Sequence, residues 1–220
     1  MFANYRILFL FITHSLIALA GLFVSQSAFA YFDTMDTGEV LQEGQYQVTV
    51  GPQFILNQYD GTNFTGRLDT GLMEGVSFRG ILGFGKVDFQ IGGMVKWIPF
   101  PDTKEQPAIG GSAGVLIARI GNMTQYSLRA HPLISKKIET EVGDITPYIS
   151  LPLGITVRTG GEAGTDDTII PVQLVFGSEL RPLDMNRWGF FGEAGINMSK
   201  SFGYVSLGAS FRFDETSLTR

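Results

Sequence analysis

Ser206-Leu-Gly-Ala-Ser-Phe-Arg-Phe213 is the stretch whose reading decides the fold. With Tyr204 and Val205 ahead of it, it sorts by parity. Val205, Leu207, Ala209, Phe211 and Phe213 share one side, and Tyr204, Ser206, Gly208, Ser210 and Arg212 share the other. A period of two is the pleat of a β-strand, here with one oily and one polar face.

The same pattern recurs upstream. Trp188, Phe190, Ala194, Ile196 and Met198 oppose Glu193 and Asn197, with Ser199-Lys-Ser201 as the turn into the last strand. Ile170, Val172, Leu174 and Phe176 oppose Gln173 and Glu179, and Ile149, Leu151, Leu153, Ile155 and Val157 oppose Thr146, Tyr148, Ser150, Thr156 and Arg158. Tyr126, Leu128, Ala130 and Ile134 oppose Gln125, Ser127, Arg129 and His131, whereas residues 109–119 are apolar on both sides. Further back, Val87, Phe89, Ile91, Val95 and Trp97 oppose Asp88, Gln90 and Lys96. Val76, Phe78, Leu82 and Phe84 oppose Ser77 and Arg79, and Leu68, Thr70 and Leu72 oppose Arg67 and Asp69. The first strand begins at Gln45 with Tyr46, Val48 and Val50, and Tyr59-Asp-Gly-Thr62 has the Asp-Gly chemistry of a tight hairpin. The reading is an all-β meander of about ten strands with no helix and no fixed repeat.

Composition agrees. The 220 residues include 28 Gly and 18 Phe, but only 2 His and 2 Trp, which suits sheet and turn. A net charge of −5 argues against nucleic acid as a partner. The absence of Cys excludes disulfides, thiol nucleophiles and thiolate zinc sites, and a single His after residue 30 leaves no zinc motif, so no cofactor is expected.

Residues 1–30 read as a secretory signal peptide. Arg6 precedes apolar runs from Ile7 to Ile12 and from Leu16 to Val24, and Ala28-Phe-Ala30 supplies a small-residue cleavage site. A retained anchor is the alternative. Residues 31–44 form an acidic leader with Asp33, Asp36, Glu39 and Glu43, residues 45–213 the barrel, and residues 214–220 a tail.

Which face is oily separates a soluble barrel from a membrane one. Soluble barrels fill their interior with apolar side chains. Here the polar faces carry Arg67, Asp69, Arg79, Asp88, Lys96, Arg129, Glu179, Glu193 and Arg212, too many to be incidental, and Arg67, Asp69, Arg79, Arg129, His131, Glu179, Glu193 and Arg212 are the candidate interior polar network. Strands of about ten residues can cross hydrocarbon when tilted, and Tyr46, Phe84, Trp97, Trp188 and Phe213 stand near strand ends as interfacial aromatics. The expectation is a transmembrane antiparallel up-and-down β-barrel, polar inside and facing lipid outside.

Ser206, Gly208, Phe211 and Phe213, spaced polar-x-Gly-x-x-Phe-x-Phe, also resemble the C-terminal assembly signal of bacterial outer-membrane β-barrel proteins. In that family the signal closes the chain, whereas here Asp214 to Arg220 follow. The resemblance implies a Gram-negative outer membrane, outer-membrane lipid around the wall and a barrel-assembly machinery as partner during insertion. With a periplasmic C-terminus, the connections near 99–107, 136–144 and 181–187 fall on the periplasmic side, the reverse of the family's habit of long outer loops. Either the strand count is wrong or the outer surface is plain.

A ten-strand lumen is narrow, so its charges either pair and plug it or line a thin path for small polar solutes. The expected function is therefore porin-like or structural, without enzymatic activity. Gly80, Gly93, Gly111, Ala113, Ala130, Gly192, Ala194 and Ala209 on the oily face admit a homo-oligomer. Size, plain loops and Gly-rich walls are similar to porin-like proteins of predatory bacteria that form rings around trapped lipid. A lipid-modifying enzyme using His131 with Ser127, Ser135 or Glu193 is the remaining alternative, by resemblance to the small barrel enzymes.

Overall fold

The computed structural model describes residues 34–56, 61–160 and 167–215. The signal peptide, the start of the leader, Tyr59–Asp60, the center of the loop after Thr159 and residues 216–220 lie outside the described residues. No helix among the described residues is long and apolar enough to cross a membrane, which says nothing of strands.

Thirteen strand segments build ten staves. They are β1 (Gln45–Ile55), β2 (Gly61–Met73), β3 (Val76–Gly85), β4 (Phe89–Phe100), β5 (Ala108–Ile120), β6 (Met123–Ser135), β7 (Ile138–Thr140), β8 (Gly143–Ser150), β9 (Leu153–Thr159), β10 (Asp167–Ile169), β11 (Val172–Pro182), β12 (Trp188–Ser199) and β13 (Tyr204–Asp214). β8 and β9 are halves of one stave, as are β10 and β11; β7 only extends a hairpin with β8. Every stave pairs antiparallel with its sequence neighbours, and β13 pairs with β1, from Gln45 opposite Asp214 to Ile55 opposite Tyr204. Among the described residues the ten staves close into a cylinder, the condition for a sheet to span hydrocarbon.

Proline divides the β8–β9 stave. Sequence alternation runs through residues 151–152, but Pro152 has no N–H for the ladder. Leu151 N instead donates to Pro132 O, and Gln173 N to Pro152 O. The hairpin before β4 also corrects the sequence reading. Val87, expected on the oily wall, is buried, its N–H donating to Asn63 Oδ1 at 2.9 Å, while Asp88, expected inside, is exposed and accepts from Gly121 N at 2.7 Å. The preceding strand runs to Gly85, at φ +133°, and the turn takes in Lys86, Val87 and Asp88, so parity resumes only at Phe89.

Burial is inverted relative to a water-soluble protein. Thr49, Gln53, Thr156 and Gln173 are 0 % exposed, whereas Leu82, Val115 and Leu128 are 62 %, 59 % and 59 % exposed. An apolar wall of that extent matches a lipid environment, not water. Aromatics gather near both ends: Tyr46 stacks on Phe213 with centroids 5.5 Å apart and Trp188 packs on Phe211 at 5.0 Å at one end, and Phe64 stacks on Phe84 at 5.9 Å toward the other. Ten staves also settle the count on which the loop puzzle depended. Connections at the end opposite the termini are short, such as Gly121–Asn122 between β5 and β6.

Candidate functional site

The interior is assembled by register. Tyr148, Gly177, Glu193 and Ser206 are successive cross-strand partners on β8, β11, β12 and β13, so their side chains form one inward row. A second row runs Arg212, Gln47, Asp69, Arg79, Met94, Gly114, Arg129. Glycine creates the space these rows need. A Cβ on Gly177 would lie 2.2 Å from the Tyr148 ring, and one on Gly195 would lie 2.1 Å from the ring of Tyr204, its strand partner. Both tyrosines lie over those glycines and converge on Glu193.

Glu193 is the center of the first row. Its carboxylate accepts from Tyr148 Oη at 2.6 Å, from Tyr204 Oη, from Thr34 N at 3.0 Å, from Thr34 Oγ1 and from Met35 N at 2.5 Å. Three of those five donors belong to the leader. Residues that precede the first strand therefore run inside the barrel, and Thr34, Met35, Asp36, Thr37 and Gly38 are all buried.

The second row grips the same segment. Arg79 Nε donates to Asp69 Oδ1 at 2.6 Å, Nη1 to Thr34 O at 2.8 Å and Nη2 to Asp36 Oδ1 at 3.3 Å. Lys96 Nζ reaches Asp36 Oδ1 at 2.9 Å, Thr37 O at 3.3 Å and Glu39 O at 2.6 Å. Arg212 forks onto Glu39, at 2.6 Å and 2.5 Å, with its Nε on Gln47 Oε1 at 2.6 Å. Gly38 N donates to Ser135 Oγ at 2.8 Å. Between the leader and Asp69, Arg79, Lys96 and Arg212 a space of about 10 Å³ remains, no more than one water fills. Beside it, toward the chain termini, a cleft of about 310 Å³ opens among Gly38, Glu39, Ile98, Asp102 and Lys137.

At this mouth, partial desolvation pushes the Glu39 carboxyl up. The hydrogen bonds and charge of Arg212, with Arg181 and Lys96 behind, outweigh it and hold the group at about 2. Asp102, outside the strands, is pushed up by desolvation and drawn further down by bonds from Lys136 Nζ and Lys137 N.

The structure brings Asp69 and Arg79 together and joins Glu193 and Arg212 to the leader. Glu179 is buried against Arg181 at the mouth, and Arg67, Arg129 and His131 are buried in the wall of β2 and β6. The serines considered beside His131 are bonded elsewhere: Ser127 Oγ lies 2.9 Å from Thr156 Oγ1, and Ser135 Oγ accepts from Gly38. Ser206 and Gly208 point inward, and a Cβ on Gly208 would lie 2.7 Å from Met35 Sδ, so this glycine makes room for the leader. On the outer wall, Gly80 faces Gly93 and Ala113 faces Ala130 as strand partners. Sequence reasoning placed Lys96, Tyr148 and Tyr204 on polar faces but did not single them out as parts of the site, because it treated the leader as lying outside the barrel. The one signal was Asp36 and Glu39 in a segment without a basic residue, preceding a lumen rich in arginine.

No protein-family model and no curated protein matches the sequence. Among solved structures, the chain is similar to an outer membrane channel from Pseudomonas putida F1, at 11% identity over 83% of this chain and 100% of that one, TM-score 0.44. It is also similar to the translocator domain of the autotransporter NalP from Neisseria meningitidis, at 13% identity over 77% and 87%, TM-score 0.42. A third is the N-terminal β-barrel domain of Pseudomonas aeruginosa OprF, at 13% identity over 78% and 98%, TM-score 0.34. The architecture follows from the chain's own geometry: ten antiparallel staves closed on themselves, apolar toward the outside and polar toward the lumen, give this chain the fold of a small transmembrane β-barrel.

Proposed function

We propose that this barrel is a closed, porin-like envelope protein of the Gram-negative outer membrane whose lumen is plugged by its own leader. The single observation that supports it is the course of residues 34–38, buried within the wall and bonded to Glu193, Arg79, Lys96 and Ser135 on four staves. Paired charges of this kind stay where they are because separating them would leave each one buried and unpaired. Short connections at the end opposite the termini give little surface for adhesion or receptor binding, functions that live in long loops.

Conductance tests the plug. The full chain in planar bilayers is expected to show no steady current, and Asp36→Asn, which weakens the hold of Arg79 and Lys96, is expected to raise the frequency of open events. A wild-type protein that is steadily ohmic overturns the reading. Non-enzymatic function is part of the same proposal, supported by the engagement of Ser127 and Ser135 away from His131. Lipid turnover by wild type that disappears in His131→Ala would refute that part.

A further inference from the structure

The leader is an acidic strap in a basic lumen. Residues 31–44 carry Asp33, Asp36, Glu39 and Glu43 and no Lys or Arg. Among the described residues, the buried Lys, Arg, Asp and Glu side chains of the strands are the basic Arg67, Arg79, Lys96, Arg129 and Arg158 against the acidic Asp69, Glu179 and Glu193. A wall with that excess favours anions inside, and the low-dielectric rim of a narrow barrel strengthens the effect.

We infer that the lumen contains a binding site for small oxyanions, carboxylates or phosphate, and that the leader occupies it as a resident mimic. Two places in the structure define it. Asp36 Oδ1 lies between Lys96 Nζ at 2.9 Å and Arg79 Nη2 at 3.3 Å. Glu39 is held by both terminal nitrogens of Arg212. The first is a lysine and arginine pair such as binds an oxyanion by charge, and the second is the parallel fork that guanidinium makes with carboxylate. Each guanidinium also has an anchor apart from the leader: Arg79 on Asp69, Arg212 on Gln47. Both are therefore oriented before any anion arrives, which lowers the entropy cost of binding one. Two residues stand between Asp36 and Glu39, whose Cα atoms are therefore at most about 11 Å apart, so neighbouring anions could occupy both positions. This inference rests on the plugged-barrel reading: an anion enters where the strap has let go.

The test uses the full chain with Asp36→Asn and Glu39→Gln combined, which keeps the leader but removes its charges from both positions. Thermal unfolding in detergent is followed with added succinate or inorganic phosphate, and ion selectivity is measured in bilayers under a potassium chloride gradient. The expected results are a saturable rise in melting temperature with either anion, larger than in wild type, loss of part of that rise when Arg212→Gln is added, and a reversal potential on the chloride side. Response to only one of the two probes would identify which oxyanion the site takes. No rise with either probe, or a reversal potential on the potassium side, overturns the anion site. Steady current through the wild type would instead refute the plug, so the two failures are distinct. If the double variant does not fold, Glu39→Gln alone, at the half-exposed mouth, carries the same measurement, and no anion-dependent shift there overturns the site.

Discussion

At the scale of single residues, Glu193 does most to define the interior. Five donors from β8, β13 and the leader meet on its two oxygens, and the tyrosines among them reach it only because Gly177 and Gly195 leave their rings room. Glu193→Ala strands buried hydroxyls at about 1–3 kcal/mol each, offset where the leader swings toward water, so a loss of about 3 kcal/mol is expected in urea unfolding from micelles. Glu193→Gln, which still accepts, should lose less. Glu39 gives a pH signature. Its folded value of about 2 lies below the ordinary 4.5, so its contribution is complete above 4.5 and is lost as pH falls from there toward 2. The melting-temperature gap between wild type and Glu39→Gln should close over that window; because the group is half-exposed, the gap corresponds to only about 0.5–1 kcal/mol. A gap that persists at pH 2 would mean that Arg212 does not hold this carboxylate.

At the scale of elements, the contrast is between the staves and the leader. Apart from β5, apolar on both sides, the staves were legible because a period of two survives in any short window, and parity alone assigned Arg67, Asp69, Arg79, Glu179, Glu193 and Arg212 to one face. Parity failed at Val87 and Asp88, where a turn interrupts it, and it read through the break at Pro152, because alternation contains no information on backbone donors. The leader has no period at all. Its partners lie far along the chain, Glu193 being 159 positions after Thr34 and Lys96 60 positions after Asp36, distances over which a single sequence contains no pairing signal. Its release can be measured. In Asp36→Ala, Arg79 keeps Asp69 and Lys96 keeps two leader carbonyls, so the expected cost is about 2 kcal/mol, below that of stripping a buried charge of every partner. The sign to look for is faster proteolytic cleavage within residues 37–43 while the strands stay protected. Cleavage at the wild-type rate would show that Asp36 does not hold the leader in place.

At the scale of the whole molecule, the wall decides which solvent the protein is folded for. Leu128, on the outward face near the middle of β6, pairs with Val115, and both are 59 % exposed. Phe84 lies on the same outward surface at the end of β3, stacked on Phe64 near the rim. If the wall faces hydrocarbon, a charge must cost according to depth. Leu128→Arg should destabilise by about 2–4 kcal/mol, whereas Phe84→Arg, where the side chain can reach the headgroups, should lose only about 0–1 kcal/mol from the charge, besides the lost stacking. In water both positions would be exposed and both substitutions mild, with Leu128→Arg nearly neutral. Folding both variants into lipid vesicles and comparing their unfolding with wild type separates these cases. A steep difference between midplane and rim confirms a lipid-facing wall, and a flat one would send the apolar surface to a protein partner instead.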